Sequence, residues 1–267
     1  MDGGFSVNGG SAVDWDALYA MDLVYEANCW TKCGDAHCCS FSRHKSRFML
    51  MGKKHFQELP LLPGEYEFLE RTGRLDQFGE YKHKRSEFIL PGNRAITLES
   101  VVSFRPGCAC VHGHRPTVCR LYPLFPILDI DGRLTGVDQR FGVYEELEAL
   151  EGIGRVCEVR SIPFDQLDLF IRFVGAIASS PLHLFHLQAY RVAKDHAFRR
   201  LREMRTEPSQ SVFALFEGQF LRGRVFDQPA LAQELGALAD RFEARYGTGF
   251  DLGRTSSPVA SEGGVAP

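Results

Sequence analysis

CACVHGHRPTVCRLYP, residues 108–123, sets Cys108, Cys110 and Cys119 close together, with Arg115 and Arg120 among them. A second stretch, CWTKCGDAHCC at 29–39, carries Cys29, Cys33, Cys38 and Cys39, and Cys157 follows alone. Short spacings let the backbone curl and aim several sulfurs at one point. Thiolates suit zinc, iron–sulfur clusters or copper(I), not magnesium or calcium. Free cysteines are also common as small buried hydrophobes, which accounts for Cys157 as well as ligation does. It does not account for seven thiols in two tight groups. Eight thiols match two four-ligand sites, and one four-cysteine cluster with spare thiols fits equally well.

Working outward, the chain of 267 residues is long enough for one large or two modest cores. Its 44% hydrophobic and 24% charged residues are ordinary for a globular protein. A formal charge of −3 argues against nucleic acid or membrane as an obligatory partner. No apolar run approaches a bilayer span, and the N-terminal residues lack the basic and apolar regions of a secretory signal. The expected location is therefore the cytoplasm, where a reducing environment favours metal ligation or catalysis over disulfides.

The expected fold class is α+β: an irregular, metal-organised cysteine-rich module with a β-hairpin, followed by an α-helical part. Loose tails are expected at 1–12 and 251–267, the cysteine module at 13–160 and the helical region at 161–250. Helices are predicted over 14–27 and 63–72, the latter stopping near Gly73. ITLESVVSF at 96–104 reads as a strand. LFPILDI at 124–130 and RLTGVD at 133–138 flank a two-residue Asp131-Gly132 hairpin turn, with Pro126 placing its strand at an edge.

From Pro163, the residues Phe164, Leu167, Phe170, Ile171, Val174 and Ile177 give a wide apolar helical surface. Ser180-Pro181 predicts a cap and first-turn proline of a helix reaching about Arg205. It carries Leu182, Phe185, Ala189 and Val192 on one face. Asp227 caps a last helix carrying Leu231, Leu235, Leu238 and Phe242, ended by Gly247.

Thiolate-bound metal is negatively charged, so Arg115 and Arg120 are the cofactor-binding candidates. His37, His112 and His114 lie beside the cysteines and suit positions around the metal rather than on it. His183 and His186, three apart on one helix, make an incomplete site by themselves. The basic run from Arg191 to Arg205 reads as a solvated helix face.

R-P-x-x-C-R-x-Y-P, from Arg115 to Pro123, with two close cysteines before it and a paired-cysteine motif far upstream, resembles the YkgJ-type cysteine-cluster proteins. These are the CxxCxxCC family, described as zinc- or iron-chelating. The resemblance covers roughly 29–157, and it implies ligation by Cys29, Cys33, Cys38, Cys39, Cys108, Cys110, Cys119 and Cys157. Glu65 falls where the family often has an acidic residue. A distant link to flagellin lysine N-methylase implies methyl transfer involving an iron–sulfur cluster, such as a four-iron one.

The leading expectation is thus an iron–sulfur metalloprotein, an oxidoreductase or methyltransferase acting on a protein or small molecule. The alternative is a zinc-stabilised, non-enzymatic interaction module.

Overall fold

Asp14 accepts the Ala17 amide at 2.9 Å and so opens the first helix, α1 (Trp15–Ala20). The capping carboxylate satisfies one of the amides that a helix start leaves unpaired. The helix is shorter than the predicted 14–27. Met21 is already extended, and the carbonyls of Tyr19 and Met21 accept from Arg120 instead of from a following turn. The computed structural model describes residues 13–25, 46–51, 57–104, 111–139, 141–153 and 162–252.

Strand β1 (Gln57–Leu61) leads through Gly64, at φ +79°, into α2 (Glu65–Arg71), which ends at Gly73. A 3-10 turn over Arg74–Phe78 precedes β2 (Tyr81–Leu90) and β3 (Arg94–Ser103). The three strands form one antiparallel sheet with β3 in the middle. The predicted strand at 96–104 is therefore its centre. Successive side chains alternate across the sheet, so its two faces serve two cores. Leu59, Leu61 and Val101 pack with Tyr19, Phe68, Leu69 and Phe78 on one face. Leu90 and Ile96 pack on the other.

Next come α3 (Thr117–Leu121), β4 (Phe125–Leu128), β5 (Leu134–Asp138) and α4 (Val143–Leu150). Strands β4 and β5 pair as the expected hairpin, in a two-stranded ribbon that leaves Pro126 on an edge. The connection is wider than two residues. Asp129 accepts the amides of Asp131 and Arg133 at 2.9 Å each, and Gly132 adopts φ +78°. A side chain that captures its own downstream amides makes a broader turn than Asp-Gly alone.

Four long helices complete the described chain: α5 (Phe164–Ala178), α6 (Pro181–Met204), α7 (Val212–Leu221) and α8 (Gln228–Tyr246). The Asp227 side chain caps α8 through the Ala230 amide, and Gly247 ends it at φ +54°. Ser180 does not cap α6 with its side chain; its hydroxyl meets His183 Nδ1 at 2.8 Å. Helix α5 buries Phe170, Val174 and Ile177 but leaves Phe164 85% exposed, so the predicted wide apolar surface is only partly covered.

Fold class is mixed α+β. One core joins Leu18, Leu23, Leu62, Leu121, Leu124 and Phe125 to Phe170, Phe173, Val174 and Ile177 of α5. Another joins Leu90 and Ile96 to Phe185, Leu235 and Phe242. Both cores draw from either side of residue 160. Among the described residues, no single helix is long and apolar enough to cross a membrane.

Candidate metal centre

Cys119 sits half-buried in the single turn of α3, packed against the core that contains Leu59, Phe68 and Val101. Cys29, Cys33, Cys38, Cys39, Cys108, Cys110, Cys157 and His37 lie outside the described residues. Among the described residues, no three His, Cys, Asp or Glu side chains converge as a metal site. What the structure does describe is the frame from which both cysteine groups depart.

Three polar side chains build that frame. Glu65, fully buried at the start of α2, accepts the Thr117 amide and the Tyr19 hydroxyl on Oε1, both at 2.5 Å. Its Oε2 accepts the Leu62 amide at 2.9 Å. The Thr117 amide opens the turn bearing Cys119, so Glu65 fixes that turn at its N-terminal end. Burial pushes the Glu65 carboxyl above its usual value, and the three donated hydrogen bonds oppose that shift. Burial and the facing carboxylate push the Tyr19 phenol up as well.

Arg120 is the second. Only 2% exposed, it is among the largest fully enclosed side chains. Its Nη1 donates to the Met21 carbonyl at 2.7 Å. Its Nη2 donates to those of Gly113, at 2.7 Å, and Tyr19, at 3.3 Å. Its Nε donates to that of Arg115 at 3.2 Å. The guanidinium carbon also lies 4.5 Å from the Tyr19 ring centroid. One planar fork thus grips the chain just before the first cysteine group and the loop of the second.

Gln77 is the third. Its amide donates to the His114 carbonyl and accepts from the Val111 amide, both at 2.8 Å. This holds the His112–His114 turn in shape.

The histidines and remaining candidates divide cleanly. His112 Nε2 meets Asp22 at 2.9 Å, and its carbonyl accepts from Arg115 Nε at 3.1 Å. Burial, with Arg115 close by, lowers the His112 pKa, and the Asp22 carboxylate opposes that shift. Tyr122 donates to Glu145. His183 and His186 do not face one another as ligands. His183 Nε2 is bonded to the Pro63 carbonyl at 2.8 Å, and His186 Nδ1 to that of Leu182 at 2.8 Å. The basic run on α6 is matched by acids from other elements, as in Lys194–Asp138 at 2.6 Å, Arg199–Glu234 and Arg202–Glu146.

Sequence reasoning missed Tyr19, Asp22 and Gln77, whose roles depend on contacts with residues 46, 90 and 37 positions away, respectively. Tyr25, also missed, is 7% exposed, and its hydroxyl makes no hydrogen bond among the described residues.

No family model, curated protein or solved structure matches the chain.

Proposed function

We propose that this protein is a cysteine-ligated metalloprotein whose two cysteine groups hold an iron–sulfur cluster. The observation that carries the reading is the grip of Arg120 on Tyr19 and Met21 on one side and on Gly113 and Arg115 on the other. It brings the roots of both cysteine groups to one place, although some seventy residues separate Cys39 from Cys108. The surroundings also fit a thiolate-bound group. The cations Arg115 and Arg120 are at hand, and the buried Tyr25 hydroxyl lacks an acceptor among the described residues. The ligands would come from Cys29, Cys33, Cys38, Cys39, Cys108, Cys110 and Cys119, with Cys157 in reserve. Bound there, the cluster supplies electron transfer or polarisation of a bound substrate, in redox or methyl-transfer-like modification of a protein or small molecule.

Zinc is the second reading, favoured by the Asp22–His112 contact. A histidine anchored through one ring nitrogen by a carboxylate is the usual setting of a zinc ligand. Anaerobic purification with iron, acid-labile sulfide and zinc analysis separates the two. Iron with sulfide and a brown chromophore supports the first, and colourless protein with stoichiometric zinc supports the second. Protein with neither metal sinks both.

A further inference from the structure

Side chains at alternate positions of β3 share one face of the sheet. Val101 enters the core with Phe68 and Leu69 of α2. Thr97 and Glu99, on the same face, instead line a cavity of about 430 Å³ between the sheet, the start of α2 and α6. That volume is in the range of small-molecule sites. Pro63, Leu182 and Leu252 give it apolar walls, and its charged lining is acidic, with Glu67, Glu99 and Asp251 against the guanidinium of Arg85. Glu99 is only 8% exposed, and its Oε2 accepts no hydrogen bond among the described residues, with His83 Nε2 3.5 Å away. Its Oε1 meets Nε of Arg85, opposite it in the strand register, at 3.1 Å. The Arg85 side chain is 62% exposed, so the ion pair is solvated and weak while the carboxylate beneath it is enclosed. Burying a carboxylate with so few donors is costly, and an apolar residue would fill the space without that cost.

We propose that this cavity binds a small molecule bearing a guanidinium group, which takes the place of Arg85 on the Glu99 carboxylate. A guanidinium already rests on that carboxylate, so the carboxylate is placed to receive one. The group is planar and more weakly hydrated than an ammonium, so a part-apolar cavity costs it less to enter, and its spare donors can reach a second acid such as Glu67. No three His, Cys, Asp or Glu side chains among the described residues converge as a metal site, so the acids suit an organic cation rather than a metal ion. His186 also lines the cavity, but its ring nitrogens already meet the Leu182 and Thr97 carbonyls. The inference goes beyond the metal reading and does not rest on it.

The test titrates n-butylguanidinium into the full-length chain by calorimetry at low salt, with n-butylurea as the planar, neutral control. The expected dissociation constant is below about 1 mM for the cation, and the urea should bind at least about tenfold more weakly. Amide NMR shifts should move at Gly64 and Thr97. Glu99→Gln should weaken binding about tenfold. Arg85→Gln, at an exposed position, should tighten it about threefold, because the resident competitor is gone. That second variant decides the matter even where Glu99→Gln fails to fold. Absence of binding at about 10 mM, equal binding of the urea, shifts confined to other amides, or an Arg85→Gln protein that binds no tighter overturns the inference. An N-acetylarginine amide that binds more tightly than n-butylguanidinium assigns the site to a polypeptide arginine and overturns it too. Metal content is untouched by any of these outcomes, so the metal reading stands or falls separately.

Discussion

Replacing Arg120 with methionine keeps most of the side-chain volume and removes the fork. Four hydrogen bonds to main-chain carbonyls disappear with it, along with the contact to the Tyr19 ring. Met21, Gly113 and Arg115 are part-exposed, so water can reach their carbonyls and the loss is about 1 kcal/mol each or less. Tyr19 is buried, and its carbonyl loses a partner that water does not readily replace, about 1–2 kcal/mol. Relief of the buried guanidinium's desolvation offsets part of this. A net destabilisation of about 3 kcal/mol follows, or roughly 6–12 °C in melting temperature for a domain of this size. Metal retention should fall further than stability does, because both cysteine groups lose their common anchor. Arg120→Lys, which keeps the charge and loses the planar fork, should fall between. The assay is thermal melting beside metal content after anaerobic loading. An Arg120→Met protein that melts within about 2 °C of wild type, or retains full metal, refutes the reasoning.

Cys119→Ser should abolish metal retention, whereas Cys157→Ser should leave most of it; counting metal per chain decides, and full metal in Cys119→Ser removes the second group from the site. His183 gives a pH dependence. Burial lowers its pKa from 6.5 to about 4, so the unfolded imidazole protonates first as pH falls. Stability fully present above pH 6.5 should drop by about 3 kcal/mol by pH 4. Denaturant titrations across that range should lose this component in His183→Gln. Chelation should strip metal while most helical circular dichroism persists, because the apolar cores are built without thiolates. Complete loss of helix on chelation would contradict that.

The sequence marks elements whose signal is local. Asp227 at a helix start, Gly247 after its end and the spaced Leu231, Leu235 and Leu238 each state their role within a few residues. The β-branched run at 96–104 does the same for β3. Its neighbour β2 is hidden, because YKHKRSEFIL is an edge strand studded with charge, and edges are kept polar to discourage further pairing. Helix α1 is misjudged for a different reason. Its continuation is stopped by Arg120, 99 residues from Met21, and nothing near Met21 announces it. In the site, Cys119, Arg115 and Arg120 are legible because the cysteine spacing draws attention to them. Gln77 and Tyr25 are not, since an amide clamp and a buried hydroxyl look like any polar residue until the partners are in place.

Buried charge explains what kind of frame this is. Glu65 and Arg120 do not pair with each other; Tyr19 stands between them, donating its hydroxyl to one and offering its ring to the other. Each charge is spent on main-chain groups: two amides for Glu65, four carbonyls for Arg120. Such an arrangement is a costly route to stability, because desolvating a carboxylate and a guanidinium cancels part of what their bonds return. It is a good route to placement. Main-chain groups gripped by a rigid fork fix the path of the backbone whatever the neighbouring side chains are. A metal site needs that, since ligand sulfurs must converge to within a fraction of an ångström. Under the proposed metal reading, the two residues serve the geometry of the cysteine site more than the fold's stability, and metal loss in excess of destabilisation is the signature that separates those roles.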